Sequence, residues 1–274
     1  MTDQRITHVP GARLHARADG DGPPIVLVHA GIVDSRAWDP LVPLLTRAGY
    51  QAIRYDIRGF GRSETEDVEF SHRDDLVAVL DAFEIGRACL VGNSIGGMIA
   101  IDTAAEYRER ANAVVLLGSP IAGYEGELRP EEASAIAEVE AREETATWDE
   151  QVDLMFEAWI DGFGRPPDRL PAALREWLRP MVRDAEDRDR VRGRPIRLDP
   201  PVAERLDTLT MPILAIHGGL DLSDVEATGR HLEATCQNAR LAVVPGVAHL
   251  IAVEAPERVA ELILELVRPL GDFS

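Results

Sequence analysis

The chain has 274 residues, 45% of them hydrophobic and 28% charged, the composition of an ordinary globular protein rather than a disordered or membrane-embedded one. Its 48 acidic and 29 basic residues give a formal net charge of -19, a surface that repels phosphate backbones and anionic lipid, so neither nucleic acid nor a membrane is an expected partner. Every basic residue is an arginine, which removes Schiff-base chemistry and a P-loop lysine from consideration.

In chain order, segments at about 5–9 and 13–17 read as an antiparallel hairpin at a sheet edge. Short apolar runs at 25–28, 52–55, 89–91, 114–117, 213–216 and 241–244 read as strands, and most are continuously apolar, as when both faces of a sheet are covered. Helical patterns fall between them at about 36–48, 71–84, 95–109, 225–235 and 256–268. In the last, Val259, Leu262, Ile263 and Leu266 share a face and Pro256 sits in the first turn. This alternation predicts an α/β fold, a mostly parallel sheet with right-handed crossovers.

The alternation breaks between about 120 and 205, a charged stretch with no strand pattern. Pro130-Glu131-Glu132, Trp148-Asp149-Glu150 and Pro171-Ala172-Ala173 each open a helix there, and 183–197 is a mixed-charge run that reads as a solvated face or loop. The expected organisation is a core built from 1–120 and 206–274, with a helical insertion at 121–205 over the C-terminal edge of the sheet, where open α/β sheets bind ligands. Cys89 and Cys236 are too few and too far apart for a disulfide framework or a metal site, and Cys89 reads as a buried strand thiol. Met1-Thr2-Asp3-Gln4-Arg5 lacks a signal-peptide pattern, and no apolar run approaches the roughly 20 residues of a membrane span, so the expected location is the cytoplasm.

The chemistry centres on Gly92-Asn93-Ser94-Ile95-Gly96, which follows the apolar run Ala88-Cys89-Leu90-Val91. A strand that ends in Gly-x-Ser-x-Gly and turns at once into a helix is a nucleophile elbow, with Ser94 pushed out into a cleft. A serine hydroxyl needs a base and a group that orients the base, in the chain order Ser, Asp or Glu, His. His249 follows the strand at 241–244 and the turn Pro245-Gly246, so it opens at the same sheet edge as Ser94; His231 lies inside a helical pattern. Asp221 leaves its strand through Gly218 and Gly219 and is the expected acid, with Asp224 as the fallback. The expected oxyanion donors are the backbone amides of Ile95 and of Gly31, with Ile32 the alternative to Gly31 and His29 bracing the loop.

With these residues in place, the chain resembles the α/β-hydrolase superfamily over essentially its full length. The matching pieces are His29-Ala30-Gly31, the run from Asp56 to Ser63, Gly92-Asn93-Ser94-Ile95-Gly96-Gly97, Gly219-Leu220-Asp221 and Val247-Ala248-His249-Leu250. The resemblance implies an eight-stranded, mostly parallel sheet and a helical cap inserted after the sixth strand, matching 120–205. It also makes the run from Asp56 to Ser63 a structural loop. The nearest branch is similar to small-cap carboxylesterases and enol-lactone hydrolases, with one departure: the usual His-Gly pair is His29-Ala30 here.

The implied activity is hydrolysis of a small-molecule ester or lactone through an acyl-enzyme, with no metal or organic cofactor, in a monomer or homodimer. Trp38, Trp148, Met155, Trp159 and Leu250 are the residues expected to line an apolar pocket, with Phe156 and Trp177 as further candidates. Epoxide-hydrolase and dehalogenase relatives carry an aspartate at the elbow, which Ser94 argues against. Carbon–carbon bond hydrolases share the Ser-Asp-His set and an Asn before the serine, but tend to have Gly-Pro-Gly in the oxyanion loop and Trp after the histidine, where this chain has Gly31-Ile32-Val33-Asp34 and Leu250. A cofactor-free perhydrolase would use the same residues. A slow-turnover ligand receptor of the same fold is the reading from another class.

Overall fold

The computed structural model describes residues 2–167 and 169–271. Its main strands are β1 (Thr2–Val9), β2 (Ala12–Asp19), β3 (Pro24–Val28), β4 (Gln51–Tyr55), β5 (Ala88–Asn93), β6 (Ala111–Leu117), β7 (Ile213–Gly218) and β8 (Ala239–Val244). They lie side by side in the order β1-β2-β4-β3-β5-β6-β7-β8. The first two pairings in this order, β1 with β2 and β2 with β4, are antiparallel and the rest are parallel. The eight strands of the expectation gain a two-residue ninth, Glu64–Thr65, against β2.

The helices are α1 (Val42–Arg47), α2 (His72–Ala82), α3 (Ile95–Glu106), α4 (Pro130–Glu143), α5 (Trp148–Met155), α6 (Ala172–Ala185), α7 (Ser223–Thr235), α8 (Ile251–Glu254) and α9 (Pro256–Val267). Strand alternation divides the core into two layers. Val26, Val28, Leu90 and Leu116 face α2, α3 and α7, whereas Ile25, Leu27, Val91 and Leu117 face α1, α8 and α9. Both faces of the central strands are therefore covered, which is why those runs carry no polar alternation. The edge strand β8 is only partly buried.

Two details depart from the sequence reading. The helix expected at 36–48 is a 3-10 turn, Ser35–Trp38, followed by α1, because Pro40 has no N–H to carry a helical ladder between them. The run at 183–197 is not a plain solvated face. It begins as the end of α6, its Arg194–Pro195 pairs with Glu69–Phe70, and its middle straps the loop at 59–61. Arg190 donates to Gly61 O and pairs with Asp184, and the Arg192 guanidinium lies 4.4 Å over Phe60. A Cβ on Gly59 would stand 2.8 Å from Val191 O, so glycine is required under the strap.

Between β6 and β7 come α4, α5, a π-helical turn at Phe156–Ile160, and α6. Val152, Met155, Phe156, Leu178, Met181 and Val182 of this segment form one apolar cluster with Ala30, Val33, Leu250 and Val253, which belong to the loops and helix turns after β3 and β8. The helices thus sit on the C-terminal edge of the sheet. At the start of the segment, Glu132 on α4 accepts from the backbone of Arg129 and of Ser223 at 3.1 Å each, joining the first turns of α4 and α7. Burial alone would raise its carboxyl, but the Ser223 hydroxyl and those amides hold it below its ordinary value.

Candidate active site

Strand β5 ends at Asn93, and Ser94 turns the chain into α3 with φ 55° and ψ -121°. Among the described residues, only Glu84 shares a positive φ without being glycine. Such a conformation costs on the order of 1–3 kcal/mol in a residue with a side chain. The surroundings enforce it: Ser94 N donates to Leu117 O at 3.0 Å, and Ser94 O accepts from Gly97 N at 2.9 Å and Met98 N at 3.2 Å. The neighbours must be glycines. A Cβ on Gly92 would lie 2.1 Å from Gly96 C and O, one on Gly96 would lie 2.1 Å from Val28 O, and one on Gly97 would lie 1.9 Å from Ser119 Oγ.

Past the ends of β7 and β8 the two chains remain laddered. Gly219 N donates to Val244 O and Leu220 N to Val247 O, each at 2.9 Å. This register carries Asp221 opposite His249, and Asp221 Oδ2 meets His249 Nδ1 at 2.8 Å, with both side chains buried. Asp221 Oδ1 accepts from Leu222 N at 2.9 Å, so both carboxylate oxygens are held. A carboxylate only accepts, so the proton sits on Nδ1 and leaves Nε2 as a base. Among the described residues neither Nε2 nor Ser94 Oγ has a hydrogen-bond partner. Asn93 joins this pair to the elbow, donating from Nδ2 to His249 O at 3.1 Å and to Leu117 O at 2.8 Å. Gly118, with φ +53°, leaves the room they need: a Cβ there would stand 2.8 Å from Asp221 Oδ2 and 3.2 Å from His249 Nδ1.

The fallback residues lie elsewhere. Asp224 is in the first turn of α7, its Oδ1 accepting from Val225 N at 2.8 Å, and burial pushes its carboxyl up. His231 stacks on Tyr124 with ring centroids 4.1 Å apart. His29 is wholly buried; its Nδ1 bonds Ala30 O at 2.8 Å and its Nε2 accepts from Ile57 N at 2.9 Å, a bracing geometry, and burial pushes its pKa down.

Ile95 is the first residue of α3, where backbone N–H groups lack intrahelical partners. Gly31 stands beside it: a Cβ on Gly31 would lie 3.6 Å from Ile95 Cγ2. The Ile32 side chain packs against the apolar cluster that contains Ala30. A cavity of about 300 Å³ opens at Gly31, walled by Phe60, Gln151, Ala185, Glu186 and Arg192 among others.

Of the expected pocket residues, Trp159 is half-buried with its ring 4.8 Å from the His249 ring, and Met155 and Leu250 belong to the cluster beneath it. Phe156 and Trp177 pack in the same cluster. Two expectations need correcting. Trp38, 2% exposed, is packed with Leu41 and Leu45 in the layer of α1 and α9, because the 3-10 turn carries it under the sheet. Trp148 opens α5 at the surface, 42% exposed, with the Arg183 guanidinium 4.0 Å over its ring.

Sequence reading missed the supports of the His249 loop. Ala248 N donates to Glu254 Oε1 at 3.0 Å, and Glu254 pairs with Arg169 on the helical segment. The two partners stand 85 positions apart, with no local pattern joining them. Among the described residues, no group of three or more His, Cys, Asp or Glu could hold a metal ion, and no helix is long and apolar enough to cross a membrane.

Compared with known proteins, residues 25–262 match the family described as "Alpha/beta hydrolase family". Epoxide hydrolase B of Mycobacterium tuberculosis is 34% identical over 128 residues, 43% of this chain and 36% of that protein, so the match spans only about a third of that relative's length. Rhodomycin D methylesterase DauP of Streptomyces sp. (strain C5) is 28% identical over 267 residues, covering 88% of this chain and 89% of that one. The solved structure described as "Est816 as an N-Acyl homoserine lactone degrading enzyme" is 25% identical with a TM-score of 0.72, covering 96% of this chain and all of that one.

Proposed function

The chain belongs to the alpha/beta hydrolase family, and on that premise we propose that it is a serine hydrolase cleaving a carboxylic ester or lactone through an acyl-enzyme. The observation that carries this reading is a strained, glycine-flanked Ser94 whose chain neighbour Asn93 is bonded to the backbone of a buried His249–Asp221 pair. The likeness to a methylesterase over nearly the whole of both chains supports an ester bond as the target.

In the proposed reaction, His249 Nε2 takes the Ser94 proton as Oγ attacks the substrate carbonyl. The amides of Ile95 and Gly31 hold the oxyanion, and Asp221 stabilises the imidazolium. Collapse expels the alcohol, which takes its proton from His249. Water, deprotonated by His249, then attacks the acyl carbonyl and releases the acid. Nothing in these steps calls for a metal or organic cofactor. We read 121–205 as a cap over a core of 1–120 and 206–274, with Trp159, Met155 and Leu250 as the apolar wall for the acyl or ring portion. The Asn93 amide, which resembles that of carbon–carbon bond hydrolases, is engaged by Leu117 O and His249 O and acts as a structural link.

The test is turnover of p-nitrophenyl acetate and butyrate by wild type and Ser94→Ala, extended to a lactone and a ring-cleavage dienoate. Activity on esters or lactones that Ser94→Ala abolishes supports the proposal. Equal rates in both proteins contradict the mechanism, and preference for the dienoate replaces ester cleavage by carbon–carbon cleavage.

A further inference from the structure

His249 lies in an irregular loop between β8 and α8, and the amide just before it has no backbone partner among the described residues. Ala248 N instead donates to Glu254 Oε1 at 3.0 Å. The other oxygen of Glu254 meets Arg169 Nη1 at 2.5 Å, and the pair is well buried, with side chains 4% and 16% exposed. Arg169 then spreads its remaining donors over three carbonyls: Gly246 at 3.3 Å in the His249 loop, and Ile160 at 2.6 Å and Asp161 at 2.8 Å in the helical segment. A planar guanidinium can bridge four acceptors in this way; an ammonium cannot.

The same stretch of the segment touches the loop of the acid. Gly162, at φ +96°, has space for a Cβ only 3.2 Å from Leu220 O and 3.5 Å from the Ala248 Cβ. Leu220 and Ala248 directly precede Asp221 and His249. Trp159, in the π-helical turn just upstream, lies against the His249 ring itself.

We propose that Glu254 and Arg169 are positioning residues for the base: they fix the Ala248–His249 backbone so that Nε2 faces Ser94. Through them, the seating of the helical segment on the sheet edge becomes a condition for the imidazole's placement. Neither residue touches the substrate. The proposal rests on the serine-hydrolase reading above. It adds that reactivity at Ser94 depends on the acceptor that Glu254 offers Ala248 N and on the Arg169 guanidinium that ties the helical segment to the His249 loop.

The test is the rate at which a fluorophosphonate labels Ser94, measured from pH 5 to 9, with thermal stability recorded for each protein. Glu254→Met removes the acceptor for Ala248 N, Arg169→Met removes the bridge, and Glu254→Gln keeps an oxygen for the amide. Arg110→Met is the control, because Arg110 likewise binds Gly86 O, Ile85 O and Asp81, but on the chain leading into β6. Displacement of a reacting group by about 1 Å costs on the order of 100-fold. Both Met variants at Glu254 and Arg169 are therefore expected to label 10- to 100-fold more slowly. Glu254→Gln should stay near wild type, and Arg110→Met should lose stability without losing rate.

A downfield proton resonance from the Asp221–His249 bond should persist in Glu254→Gln and broaden in Glu254→Met. Where the Met variants fail to fold, Arg169→Lys and Glu254→Gln carry the test, the lysine labelling slowly and the glutamine normally. Equal labelling rates across wild type, Arg169→Lys and every folded Glu254 variant would overturn the proposal. Failure of wild-type Ser94 to label at all would instead overturn the serine-hydrolase reading.

Discussion

Asp221 Oδ2 and His249 Nδ1 stand 2.8 Å apart although their residues leave the sheet on different strands. The continued ladder between the loops after β7 and β8 sets that meeting, and Gly118 leaves space for it. Orientation of the imidazole is thus built into the sheet edge.

Asp221→Asn keeps the shape of this contact but favours the wrong imidazole tautomer. It is expected to lower kcat by about 10⁴ with little change in KM, as carboxylate-to-amide changes do in such triads. Asp224→Asn should leave kcat almost unchanged, since among the described residues the Asp224 carboxylate bonds only the start of its own helix. Steady-state kinetics on the two variants separate the two acids, and the reverse pattern would contradict the assignment.

The strain at Ser94 predicts a trade between stability and activity. Ser94→Gly removes the side chain from a φ of 55° and should stabilise the protein by about 1 kcal/mol or more while abolishing turnover. Ser94→Ala should abolish turnover without that gain, because alanine meets the same backbone penalty. Denaturant unfolding of the three proteins reads the difference.

The tryptophans should behave according to where they lie. Trp159→Ala is expected to raise KM for substrates with long acyl chains, because its ring borders His249. Trp38→Ala should destabilise the fold by about 3–5 kcal/mol through a core cavity. Trp148→Ala should change neither KM nor kcat appreciably, its ring being capped by Arg183 at the surface.

Asp102 links stability to pH. Burial, only partly offset by Arg73 and Arg205, pushes its carboxyl from 3.8 up to about 6, and among the described residues Oδ1 has no hydrogen-bond partner. Between these values the folded protein binds the extra proton, so this group's contribution makes stability rise as the pH falls from about 6 towards 3.8. Above about 6 the buried carboxylate is a standing penalty. Asp102→Asn is therefore expected to add about 1–3 kcal/mol at pH 8 and little at pH 4, measured by unfolding at both.

Much of this was legible in the sequence because the informative signals are local. Continuous apolar runs marked β3, β5, β6 and β7, and the Gly-x-Ser-x-Gly spacing marked the turn at Ser94. His249 and Asp221 followed from strand direction, since loops after parallel strands open at one edge. Trp38 was not legible in this way, because an indole's apolarity says that it is covered but not by which layer. Nor were the strap of Arg190 and Arg192 over Gly59 and Gly61, or the bridge from Arg169 to Glu254. Each joins distant segments through single side chains and leaves no periodicity to read.

Whether Ser94 carries the acyl group decides most directly between a serine hydrolase and any other mechanism. Wild-type protein quenched with acid during turnover of p-nitrophenyl butyrate should show one butyryl adduct by mass spectrometry, on the peptide containing Ser94, and Ser94→Ala should show neither adduct nor turnover. Turnover that persists in Ser94→Ala, or an adduct on another residue, would contradict it.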